Sequence, residues 1–120
     1  MSTKEIFLIN IDKELTGARE ALKSGNNGKA RVCSRRAAGQ AITWFLSAYP
    51  HERWGTDAMN QLSNLKEDES FPKAVRDAAV RLTTKISGRF TYPFTNDPIE
   101  DAQLIINHIE MVTERHADCR

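Results

Sequence analysis

Residues 29–49 read KARVCSRRAAGQAITWFLSAY, and the reading of this stretch decides the fold. Wound at 100° per residue, it presents two apolar sectors instead of one. Ala30, Cys33, Ala37, Ala41, Trp44 and Ala48 form the first sector. Gly39, Ile42 and Leu46 form the second, nearly opposite. Arg36, Gln40, Thr43 and Ser47 leave only a narrow polar strip, so the helix is covered on most sides and becomes the central rod of a bundle. The small side chains of Ala37-Ala38-Gly39 let a neighbouring backbone come close. Arg31 and Arg35 are four residues apart, hence stacked, and share the sector of Gly39, Ile42 and Leu46.

Working outward, residues 2–24 form a preceding helix, with Ser2 and Glu5 as a capping box and Leu8, Ile11, Leu15, Ala18 and Leu22 as its apolar stripe. Ile6, Phe7 and Ile9 widen that surface, either as extra core or as a dimer contact. Gly25-Asn26-Asn27-Gly28 is a turn that makes the two helices antiparallel neighbours. It lacks the spacing of a phosphate-binding loop. Pro50 closes the central helix, and Trp54 in the following connection is either a lid on the bundle or an exposed contact.

Thr56 or Asp57 caps a short helix whose stripe is Ala58, Met59, Leu62 and Leu65. Pro72 starts the next helix, with Val75, Ala78, Ala79, Leu82 and Ile86 on its stripe and Gly88 at its end. Lys73, Arg76, Arg81, Lys85 and Arg89 make this the most basic segment, read as a solvated face or as a contact to nucleic-acid backbone. In residues 89–96, RFTYPFTN, three rings alternate: Phe90, Tyr92 and Phe94 either pack along the bundle or stand free to stack on bases. Asp97-Pro98-Ile99-Glu100 then opens the last helix with a cap, a proline at the first turn and a glutamate at the capping-box position. Ala102, Ile105, Ile106, Ile109 and Val112 form its stripe, and the tail from Glu114 frays. The sum is an all-α, up-and-down four-helix bundle with one extra short helix, a single domain over residues 1–120.

Composition agrees with an ordinary globular chain. The 120 residues are 40% hydrophobic and 28% charged, with a net charge of +1, so a nucleic-acid or acidic partner would have to be recognised by a local patch. Two cysteines, Cys33 and Cys119, are too few for a disulfide scaffold and suit a reducing cytoplasm. The opening residues MSTKEIFLINIDKE lack the basic start and long apolar run of a signal peptide, and no membrane-spanning segment is expected.

In such a bundle the second and fourth long helices run parallel. Arg31 and Arg35 are thereby carried toward Asp97, Glu100 and Asp101. Cations in the first turns of a helix oppose its dipole, so something must compensate. The cluster is either a structural ion-pair network or an anion site in which both guanidiniums hold a phosphate or nucleotide. No metal site and no cofactor are expected: His116 and Cys119 form an H-x-x-C pair with no second pair. Cys33 and Ser34 have no histidine at a suggestive spacing, so no catalytic residue is assigned.

The strings ARVCSRRAAGQAI, FPKAVRDAAVRLTTKI and FTYPFTNDPIEDAQLII, spread between Ala30 and Ile109, resemble small bacterial proteins of the HEPN-like class. The resemblance implies a bundle of four or five helices, often a homodimer, and an association with nucleotides or RNA. It also implies, in some members, a nucleotidyltransferase partner in toxin–antitoxin pairs. Catalytic members cleave RNA with an arginine followed shortly by a histidine near the start of a late helix. At that spacing His108 is preceded by Asp101, Ala102 and Gln103, His51 by Trp44, Phe45 and Leu46, and His116 by Ile109, Glu110 and Met111, so no catalytic residue carries over. The expected function is a non-catalytic binding or interaction module, with a degenerate ribonuclease or nucleotide-handling enzyme as the alternative.

Overall fold

The computed structural model describes residues 2–49, 53–85 and 97–118, the last four of these by their helical backbone alone. Five α-helices, and no strand, are found among the described residues: α1 (Thr3–Lys23), α2 (Asn27–Ala48), α3 (Ala58–Glu67), α4 (Lys73–Thr83) and α5 (Pro98–Asp118). The described part of the chain is therefore all-α. The expected aromatic strip at 89–96, together with Pro50, His51, Ile86, Gly88 and Cys119, lies outside the described residues.

Local chemistry sets most helix ends. Ser2 caps α1 by accepting the Glu5 N–H at 3.1 Å. At the other end of α1, the Asn26 N–H reaches the Ala21 carbonyl at 2.8 Å and the Gly25 N–H reaches Leu22 at 3.1 Å. This is a Schellman closure, and it needs the positive φ of 79° that Gly25 adopts. Asn26 at once caps α2, its Oδ1 accepting from the Lys29 N–H at 3.0 Å, so α2 begins two residues earlier than its apolar pattern. Asp57 caps α3 through the Asn60 N–H. Asp97 caps α5 through the Glu100 N–H at 2.8 Å, with Pro98 as the first helical residue. No helix among the described residues is long and apolar enough to cross a membrane.

α2 packs against each of the other four helices, which is the central position its two apolar sectors predict. Relative directions follow from side-chain meetings. Arg31 near the start of α2 touches the end of α4, and Phe45 near its finish meets Phe71 just before α4. Hence α2 and α4 are antiparallel. Arg81 late in α4 meets Asp101 early in α5, so these two are antiparallel as well. An ion pair between Lys4 and Glu114 sets the start of α1 beside the later turns of α5.

One contiguous core runs from Ile11 and Leu15 through Ile42 and Phe45 to Leu62, Leu82, Ile105 and Ile109. Trp54 is buried as a lid, 5.7 Å from Phe45 and 5.9 Å from Phe71 between ring centres. Several stripe expectations are corrected. Ala21 is buried in α1 while Leu22 is half-buried. Met59 is 39% exposed, and Gln61, only 1% exposed, takes the buried place in α3. Gln61 Nε2 donates to Thr43 Oγ1 and to the Gly55 carbonyl, both at 3.0 Å, which ties α3 and the preceding connection to α2. Ile6 and Ile9 are about half exposed, whereas Phe7 packs against the core.

The fourth helix is also shorter than its apolar pattern. It stops at Thr83, with Thr84 extended. The two threonine hydroxyls turn back onto the carbonyls of Ala79 and Val80. Such local side-chain bonds, added to β-branching, compete with continued helix. Three long helices and a short α3–α4 hairpin result, rather than four long helices and one short one.

The two helical glycines facing a neighbour differ sharply. A Cβ at Gly39 would stand 3.0 Å from Ala58 Cβ and 3.3 Å from Gln61 Oε1, whereas one at Gly17 would meet only Cys33 Sγ at 3.5 Å. Gly39→Ala should therefore lose about 1–2 kcal/mol despite better helix propensity, because α3 is pushed from its seat. Gly17→Ala should gain roughly 0.5–1 kcal/mol. Urea denaturation of the two variants measures both signs.

Candidate functional site

Arg31, Arg35, Asp97, Glu100 and Asp101 are the residues singled out by the sequence, and the structure gives each a distinct position. Arg31 Nη2 donates to the Arg81 carbonyl at 2.8 Å and also to the Thr84 carbonyl. These carbonyls lie in the last turn of α4 and just beyond it, where intrahelical donors run out. Arg31 thus serves as a side-chain cap delivered from another helix. A cation there also faces the negative end of the α4 dipole, which compensates for its position early in α2.

Asp101 is fully buried, and the guanidinium gripping it belongs to Arg81. Arg81 Nε and Nη2 both donate to Asp101 Oδ1, at 2.9 and 2.8 Å. The link between the arginine pair and the acidic start of α5 therefore runs through residue 81: Arg31 holds its carbonyl, and its own side chain holds Asp101. The solvated-face reading fails for Arg81, whose side chain is only 22% exposed. Asp97 caps α5, and Glu100 is exposed on its first turn.

Arg35 is different. It lies one turn beyond Arg31 and one turn before Gly39, between the end of α4 that Arg31 holds and the start of α3 that Gly39 touches. Its side chain is half-buried and makes no hydrogen bond or ion pair with any described residue. Burial pushes its guanidinium below the ordinary arginine range, with no carboxylate among the described residues offsetting that cost. Lys85, which follows Thr84, is exposed, and Arg36 is exposed on the adjacent face of α2.

Among the described residues, no three His, Cys, Asp or Glu side chains gather where they could hold a metal ion. Cys33 is buried as a free thiol against Gly17. Sequence reasoning missed Arg81, because its spacing fits a basic helix face equally well. The one available signal was Asp101, a carboxylate one position before the apolar stripe residue Ala102.

Arg81→Ala leaves the Asp101 carboxylate buried without its guanidinium. The expected loss is about 3 kcal/mol, the range for breaking a buried pair from one side. Replacing the exposed Lys85 by alanine should stay within about 0.5 kcal/mol. Thermal melts of the two variants, compared with the parent chain, check the contrast. No family model matches the chain, and no curated protein or solved structure shows significant similarity to it.

Proposed function

We propose that the chain is a non-catalytic, HEPN-like binding module that takes a phosphate-bearing ligand, a nucleotide or RNA, at Arg35. The observation that carries this reading is a half-buried guanidinium that takes no partner among the described residues, while the buried carboxylate of Asp101 is already engaged by Arg81. With Asp101 occupied, the acidic start of α5 neutralises the site less than its sequence suggests. A buried cation with no counter-charge costs stability, and such a cost is expected where a ligand supplies the missing charge. Arg35 can offer two parallel N–H donors to a phosphate, and the exposed Arg36 next to it on α2 adds charge.

Within the same reading, α1, α2, α4 and α5 form an up-and-down four-helix bundle with α3 as the extra helix. The protein works in the cytoplasm as a homodimer, for which the exposed Ile6 and Ile9 supply apolar surface. Its partner is of the nucleotidyltransferase type that the resemblance implies.

Arg35→Met keeps the stem and removes the charge. It should weaken binding of ATP or a short single-stranded RNA at least about tenfold, the value of one lost charge-assisted pair. The melting temperature should stay level or rise, since an uncompensated buried charge is removed. Calorimetric titration and thermal melting measure the two halves. Retained binding with a lowered melt would make Arg35 a structural residue. Cleavage of labelled RNA by the parent chain, lost in Arg35→Met, would favour the ribonuclease alternative.

A further inference from the structure

At the far end of α2 lies a cleft of about 240 Å³ between that helix, the α3–α4 connection and α5. Its floor is Phe45 and Phe71, packed edge to face with centres 5.4 Å apart. Tyr49 stands 4.6 Å from Phe45, and His108 stands 5.4 Å from Phe71. Both of these outer rings are half-buried, so they carry the aromatic wall toward solvent. Trp54 packs on both phenylalanines, and the rings are thereby held in place by one another.

The lining holds one carboxylate, Asp68, and neither a lysine nor an arginine. Asp68 Oδ1 accepts the Ser70 N–H at 2.9 Å and the Ser70 Oγ–H at 2.7 Å, which fixes the carboxylate at the rim. Its Oδ2 takes no hydrogen bond among the described residues. Glu67 and Glu69 flank it in sequence. Arg76 donates to the Phe71 carbonyl at 3.0 Å and does not line the cleft. Ring faces carry negative charge density, and a carboxylate beside them adds to the same field. The volume falls below the roughly 300–1,000 Å³ of pockets for drug-sized ligands, so the cleft suits a head group and not a whole nucleotide.

We propose that this cleft binds a small organic ammonium ion, with the rings of Tyr49, Phe45 and Phe71 around its methyl or methylene groups and Asp68 Oδ2 facing its charge. The site is independent of Arg35, since the helix rise places Tyr49 about 21 Å along α2 from that residue. An anion would meet the Asp68 carboxylate and be repelled. The ammonium comes either as a free small molecule or as the head of a methylated lysine in a partner chain, and the chemistry of recognition is shared.

The test is a titration of the full chain with choline chloride at constant ionic strength, followed by amide shifts in a two-dimensional NMR spectrum. The neutral isostere 3,3-dimethylbutan-1-ol is titrated in parallel. Saturable shifts centred on residues 68–71 and 108 are expected, with the alcohol at least about tenfold weaker. Asp68→Asn should weaken choline binding by a similar factor while its spectrum remains that of the folded chain. A peptide with one trimethyllysine binding more tightly than choline would assign the head group to a partner chain, and the reverse order to a free molecule. Equal binding of the alcohol overturns the proposal, as does an unchanged affinity in Asp68→Asn or no saturable shift in the millimolar range.

Discussion

The fold depends on how the C-terminal end of α4 is closed. A helix of eleven residues leaves its last carbonyls without intrahelical donors, and here a guanidinium from α2 supplies them. Residue 81 has a part on both sides of this closure. Its carbonyl accepts from Arg31, and its own guanidinium is fixed on the buried carboxylate of Asp101. Three helices are joined at one point by charged groups that each satisfy another. The dipole logic is consistent throughout: a cation that is unfavourable early in α2 becomes favourable because it faces the finish of α4.

The remaining contacts of α2 rest on size. Ala30, Ala37, Ala38 and Ala41 are fully buried, and Gly39 allows α3 to approach within van der Waals contact. A central helix needs such residues, because neighbours crowd it from several sides at once. Toward its finish the requirement reverses. There Trp44, Phe45 and Tyr49 fill a wider space together with Trp54 and Phe71. Small residues near the start and rings near the end give one helix two surroundings: a tightly closed electrostatic joint and a looser aromatic cleft.

Helix existence and three of the helix starts were legible in the sequence, because capping is local chemistry. Ser2, Asp57 and Asp97 each lie within three residues of the N–H they accept. The central role of α2 was legible too, since two apolar sectors on one helix leave few alternatives. What was hidden depends on residues far apart in the chain. Gln61 is polar, yet it is buried because Thr43 and the Gly55 carbonyl receive its donors. Arg81 and Asp101 are twenty residues apart, and no periodicity marks them as a pair. The end of α4 at Thr83 was likewise invisible to an apolar pattern that continues to Ile86. The same limit affected the candidate site. The arginine pair was found by its unusual sector, but the division of labour between Arg31 and Arg35 is set by tertiary partners alone.

That division separates two residues one turn apart: Arg31 joins helices, and Arg35 takes no partner among the described residues. The most direct measurement of the joint is a double-mutant cycle between Arg31→Gln and Asp101→Asn, read by chemical denaturation. The two residues are linked through residue 81, so a coupling free energy of about 1 kcal/mol or more is predicted. Additive effects, within about 0.3–0.5 kcal/mol, would show that the two ends of the linkage act independently and would contradict this account.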